Sequence, residues 1–257
     1  MLPLLIVLGI AGAVILLLYV VAPLIVFFMH RQSPAPEVLP HDPGPYPTPA
    51  DEFFNELGPR LADLGFGETQ RWSFRGFAPN VAAEFCTMAD RRRRVLAVGY
   101  VMHVRRGNVF RPHSTFLELV SSEGKTRTLN TSNSTTPLLV TDMGERRIVL
   151  LPSLQDPSAL LNAHQKLVSR DRLATSAQEP PSRAEIPGRV REAIAASHAW
   201  QVSIGLLSPL PSGSFRLTLK GAFLFTWTAL PPGKQWLKRR CAAREALLLK
   251  DLGIVSA

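Results

Sequence analysis

The chain has 257 residues, and 29 basic against 20 acidic side chains leave a net charge of +9, all of it downstream of residue 30. A hydrophobic fraction of 46% with 19% charged residues excludes a disordered or fibrous protein, and two cysteines exclude a disulfide-stapled scaffold or a cysteine-rich metal site. Beyond residue 50 there remain 207 residues (257 − 50), enough for one sizeable core or two small ones.

Leu2 to Met29 is a run of 28 residues without a formal charge. As a helix it would reach about 42 Å, against a hydrocarbon core of about 30 Å. The first 30 residues are therefore read as a membrane anchor, with a spanning helix over roughly Leu4 to Val26 that kinks or tilts near Pro23. A cleavable signal peptide fits less well, because no basic residue precedes the run, the apolar stretch is long, and Pro23 would follow the cut after Val20-Val21-Ala22. Orientation follows from flanking charge: His30 and Arg31, then Arg60, Arg71 and Arg75, lie on the C-terminal side, so the protein is expected to be single-pass in the cell membrane with its folded part in the cytoplasm. Cys86 and Cys241 suit a reducing compartment, whereas Asn130-Thr131-Ser132 and Asn133-Ser134-Thr135 match the glycosylation pattern and are read as chance matches.

Residues 31–50 read as a proline-rich linker, with seven prolines in the sixteen residues from Pro34 to Pro49. Extended polyproline geometry would make them a semi-rigid spacer of up to roughly 50 Å, and the loose spacing of Pro40 and Pro43 also permits an SH3 or WW ligand. At Asp51 the pattern changes to an amphipathic helix, with Asp51 as N-cap, Phe53, Leu57, Leu61 and Leu64 at helical spacing, and an end at Gly65. Strand patterns follow over Arg71–Phe77, Val81–Met88, Arg94–Val104, Thr115–Ser121, Thr126–Asn130 and Arg147–Leu151, without intervening helices. Asp156-Pro157 supplies an N-cap and a first-turn proline for a helix through about Ser169. The fold class expected is α+β: an N-terminal transmembrane helix, a linker, and an antiparallel sheet of about five or six strands with packing helices over 51–172. A C-terminal extension over 173–257 adds a polar linker from Leu173 to Arg183, a helix from about Pro187 to Leu206, a strand pair or single apolar segment over Ser214–Leu230, and a basic last helix over Lys234–Leu252.

Thr128-Leu129-Asn130-Thr131-Ser132-Asn133, Leu160-Leu161-Asn162-Ala163-His164 and Leu217-Thr218-Leu219-Lys220-Gly221-Ala222 together resemble a group of uncharacterised membrane-anchored bacterial proteins. The resemblance covers about half of the chain. It implies a common fold and carries no activity.

No nucleophile elbow, no phosphate-binding glycine loop and no metal-ligand spacing of histidines occurs, so neither a cofactor nor a metal is expected. For an enzyme of unknown class the weak catalytic candidates are Cys86 with His103 on a nearby strand, and His164 among Asn162, Gln165 and Lys166. For each the plainer reading is a packed core residue. The hydroxyl-rich stretch Thr128–Thr136 reads as a solvated turn bonding its own backbone.

Basic clusters are the clearest remaining signal. Arg91, Arg92, Arg93 and Arg94 follow Asp90 in a turn, Arg105 and Arg106 end the next strand, and Lys234, Lys238, Arg239, Arg240 and Arg244 gather on the last helix; these 11 charges exceed the net charge. Nucleic acid is disfavoured because aromatics are not interleaved with the cations. Anionic lipid headgroups are the nearer polyanion for a tethered chain. Gly221–Leu230 with Trp227, then Trp236 and the basic helix, would lie at the membrane interface or form a buried core strand. The expected role is non-catalytic, binding anionic lipid or an unidentified protein partner.

Overall fold

The structure, a computed structural model, describes residues 6, 10, 12–34, 37–40, 48–67, 69–78, 81–106, 109–123, 127–136, 142–171 and 178–254. The chain divides into two compact units, one of Met1–Pro34 with Ile194–Arg240 and the other of Ala35–Ala193 with Cys241–Ala257.

The second unit is built on an eight-stranded sheet. In chain order its strands are β2 (Glu37–Pro40), β3 (Gln70–Ala78), β4 (Val81–Asp90), β5 (Val95–Arg106), β6 (Val109–Glu123), β7 (Arg127–Ser132), β8 (Asp142–Met143) and β9 (Arg146–Leu150), arranged β2-β3-β4-β5-β6-β7-β9-β8. Every neighbouring pair is antiparallel except β7 with β9, which is parallel. The mixed architecture is therefore the expected α+β one, while the strand count and the single parallel pair are not those expected. The count differs because of length: β8 has two residues and β2 has four, too few to show a period-two pattern, while the parallel pairing of β7 with β9 is set by strand order that local pattern does not encode. The β2 strand also corrects the linker. Glu37–Pro40 pairs with Arg75–Trp72 of β3, so sixteen residues are not available as a free spacer, and the prolines at 43, 45 and 47 lie outside the described residues. Proline is tolerated here because β2 is an edge strand.

One sheet face carries Cys86, Met88, Val95, Ala97, Val101, Leu117, Leu119, Leu129 and Val149. Helices α2 (Thr48–Asp63) and α3 (Pro157–Arg170) supply Phe54, Leu57, Leu61, Leu160 and Leu167 to the same core. Gly99 allows the approach of α2: a Cβ there would sit 2.6 Å from Leu57 Cδ2 and 3.0 Å from Cys86 Sγ. The start of α2 is four residues earlier than expected, so Asp51 lies in its first turn rather than at its cap, and its carboxylate pairs with Arg71 at 3.3 Å. In α3 the expected cap is present: the Asp156 side chain accepts from the Ala159 N–H, and Pro157 is the first helical residue. The opposite sheet face carries Trp72, Phe85 and Val98, covered by Ile186 and Val190 at the start of α4 (Ile186–Ser203).

The first unit holds α1, an apolar helix over Gly12–Met29 that is long and apolar enough to cross a membrane. Leu17–Val21 is a π-helical turn, in which the Ala22 N–H reaches back to the Leu17 carbonyl. Pro23 explains it, since its missing N–H and its ring disrupt the preceding turn. After α1 comes β1 (Arg31–Gln32), which joins β10 (Leu207–Pro209) and β11 (Phe215–Leu217) in a small antiparallel sheet of order β1-β11-β10. The expected strand over Ser214–Leu230 is corrected: only Phe215–Leu217 is strand, and Leu219–Ala229 is a helix, α5. Thr218 caps α5 by accepting from the Gly221 N–H at 3.0 Å. Helix α6 (Gly233–Asp251) closes the described chain and runs across the boundary between the units.

Candidate functional site

The catalytic candidates occupy closed surroundings. Cys86 is 1% exposed, and burial pushes its thiol up to about 11, which keeps it protonated and unreactive at neutral pH. Cys86 pairs with Gly99 and Ala82 with His103, so the thiol and imidazole are on one sheet face but four strand positions, about 14 Å, apart. The two do not meet. His103 instead faces Glu84, with Nε2 3.5 Å from Oε1 and no hydrogen bond formed by that nitrogen.

His164 is fully buried at the α3–sheet interface. Its Nδ1 lies 2.8 Å from Thr131 Oγ1 and its Nε2 3.0 Å from Ser121 Oγ, and Ser121 in turn donates to the Arg94 carbonyl at 3.4 Å. Burial lowers the imidazole to about 3, so it is neutral with both nitrogens engaged. Such a group holds a helix on a sheet. Asn162, Gln165 and Lys166 do not gather around it. Lys166 donates to the Leu252 carbonyl at 2.8 Å and fixes the end of α6.

Thr128–Thr136 is corrected from a solvated turn to strand β7 through Ser132 and the segment after it, buried over Leu129–Ser134. Asn130 bonds Glu118, and Asn133 Oδ1 accepts from the Leu117 N–H at 2.7 Å, so both sequon side chains are committed inside the fold. The self-bonding reading holds at the end of the segment, where Ser132 and Ser134 hydroxyls accept from the N–H groups two residues on. Asn130, Glu118 and Arg146 form a polar group that sequence reasoning missed, with Arg146 3.6 Å from Glu118. Only the register of three separate strands brings them together. Burial and the nearby Glu118 carboxylate raise the Tyr100 phenol beside it.

A groove of about 450 Å³ runs between α2 and the β3–β4 side, lined by Phe54, Gly58, Pro59, Phe66 and Met88. Arg71 stands at its rim, with its guanidinium on Asp51 and Asn55 and 5.5 Å over the Phe54 ring. Among the described residues no group of three or more His, Cys, Asp or Glu could hold a metal ion.

The basic turn is partly neutralised. Arg93 pairs with Asp90 and donates to the Leu64 carbonyl, while Arg91 and Arg92 are exposed and make no ion pair among the described residues. Arg94 takes a left-handed backbone, φ 55°, and the side chains of Arg105 and Arg106 lie outside what is described. On α6 the picture differs. Lys234, Lys238, Arg239, Arg240 and Arg244 are all exposed, and no acidic side chain pairs with them among the described residues. The α6 acid Glu245 is turned inward, accepting from Ser153 N–H and Oγ at 2.8 and 2.6 Å. Arg240 stacks 5.1 Å over the Trp236 ring, and Trp227 of α5 lies 6.3 Å from Tyr19 of α1. The structure thus places Trp227, Trp236, Lys234, Lys238, Arg239 and Arg240 in the unit that contains α1, and Arg91–Arg94 and Arg244 in the sheet unit.

No protein-family model, no curated protein and no solved structure matches the chain.

Proposed function

We propose that the chain is a single-pass membrane protein whose folded part, on the cytoplasmic side, binds anionic lipid headgroups without catalysis. The observation that carries this reading is the row of exposed, acid-free cations on α6 beside Trp236, in the same unit as the apolar helix α1. At about 1 kcal/mol per basic residue near an anionic surface, Lys234, Lys238, Arg239 and Arg240 would contribute about 4 kcal/mol.

The test uses the full chain in vesicles of phosphatidylcholine with or without phosphatidylglycerol, followed by trypsin cleavage at Lys238, Arg239 and Arg240. Cleavage should be slowed about tenfold in the anionic vesicles and restored at high salt. Equal cleavage in both vesicles removes the lipid reading and makes an acidic protein surface the ligand to seek at the same cations.

A further inference from the structure

We infer that Arg31 and Arg216 form a binding site for a phosphate dianion, either inorganic phosphate or a phosphomonoester headgroup, on residues separate from the α6 cations.

The fold brings the two arginines together from distant parts of the chain. Arg31 lies in β1, just after α1, and Arg216 lies in β11. The strand register sets them directly opposite each other, and Ser208 of β10 is the next residue in the same row. Directly opposed residues of an antiparallel pair share a face, with Cβ atoms about 5 Å apart. The row therefore presents two guanidinium groups and a hydroxyl on one face of the small sheet. Both arginines are exposed. Arg216 is steadied from the side by Phe27, with its Cζ 5.6 Å from the ring centroid.

Like charges directly opposite each other weaken a strand pair, and β1 has only two residues with which to form one. A neighbouring carboxylate would relieve the repulsion, but the unit contains none. All 20 acidic residues lie within Ala35–Ala193 and Cys241–Ala257, whereas Met1–Pro34 and Ile194–Arg240 hold only cations. Among the described residues neither guanidinium forms an ion pair or a hydrogen bond. Lys220 differs, since it folds back to donate to the Ile204 carbonyl. The two arginines are thus a fixed double charge that an anion from outside the unit would balance.

Chemistry narrows the anion. A carboxylate has two oxygens, which a single guanidinium fork satisfies, and the second arginine would be left over. A phosphate monoester carries three terminal oxygens and close to two negative charges at neutral pH, enough for both forks and the Ser208 hydroxyl. The bound group would bridge β1 to β11 and so secure the end of α1 to the three-stranded sheet.

The experiment uses the full chain in neutral detergent with two probes. Inorganic phosphate is titrated calorimetrically at constant ionic strength against chloride, and phosphatidic acid is titrated in mixed micelles against phosphatidylcholine. Saturable binding is expected, weakened by about tenfold or more in Arg31→Gln and in Arg216→Gln and unchanged in Lys238→Gln/Arg239→Gln/Arg240→Gln. Arg216→Lys, which keeps the charge and loses the fork, should fall between wild type and Arg216→Gln. Binding of inorganic phosphate identifies a soluble ligand, and binding of phosphatidic acid alone identifies a headgroup. Because both side chains are exposed, each Gln variant should keep the wild-type circular dichroism, and should one fail to fold the other decides. Saturable binding of neither probe, or binding that survives both Gln substitutions, overturns the inference. That failure with the trypsin protection of α6 intact leaves the α6 reading standing, and the converse result removes the α6 reading alone.

Discussion

The two units bury the same kinds of side chain to opposite extents. In the sheet unit Leu119, Leu160, Leu167 and Phe54 are 0–2% exposed, whereas in the other unit Phe28, Met29, Ile25 and Phe225 are 49–74% exposed. The sheet unit makes its own apolar solvent, a core between sheet and helices, and buried His164 and Glu245 find partners inside it. Among the described residues the first unit has a small core of Leu207, Leu217 and Ala222 with Val26 and Phe27 packed on it. Among the described residues, much of the apolar surface of α1 and α5 faces outward, which is stable where lipid takes the place of water. Three measurements can break or sharpen this contrast.

The largest effect expected is the acid sensitivity of the sheet unit. Burial holds His164 at about 3 in the folded protein, against 6.5 for a free histidine. Because the folded value is depressed, its contribution is fully present above pH 6.5 and is lost as pH falls from 6.5 towards 3. The loss is about 1.4 kcal/mol per pH unit, on the order of 5 kcal/mol in total. His198, also lowered by burial, lies in the other unit and gives that unit a slope of the same sign. Urea unfolding followed by circular dichroism should therefore show stability falling between pH 6.5 and 5, and His164→Gln should flatten that slope while lowering stability at pH 7. A slope left intact in the variant would mean that another group is responsible and that His164 is not closed off from solvent.

The second effect concerns packing. Leu160→Ala removes a side chain with no exposed surface between α3 and the sheet. It should cost about 3 kcal/mol, read as a fall in the urea midpoint at constant slope.

These two residues also show what the sequence makes legible. Leu160 sits in a helix announced by Asp156-Pro157 and by its periodicity, and both signals act within four residues, so local reading suffices. The six longer strands are readable for the same reason. The partners of His164 are not, because Ser121 and Thr131 reach it from two strands whose pairing is set by register, not by local pattern. The same holds for Glu118, Asn130 and Arg146. Helix α5 fails differently: Phe223, Phe225, Thr226, Trp227 and Thr228 have strand propensity, and what overrides it is the cap at Thr218, the close approach at Gly221 and the neighbouring α1. Proline was the misleading signal over 37–40, where an edge strand accommodates it.

The smallest effect is the most informative about the contrast. Phe223→Ala deletes more apolar volume than Leu160→Ala, yet Phe223 is 42% exposed on the outer face of α5. If that face rests in lipid or detergent, its ring leaves one apolar medium for another when the unit unfolds, and no cavity forms when it is removed. The unfolding free energy of the protein in detergent, read from its urea midpoint, should then change by no more than about 0.5 kcal/mol. A cost near that of Leu160→Ala would instead show that Phe223 is packed against protein in the native state. The outer face of α5 would then belong to an interface between polypeptides, and the two units would differ in what covers them, not in which solvent they use.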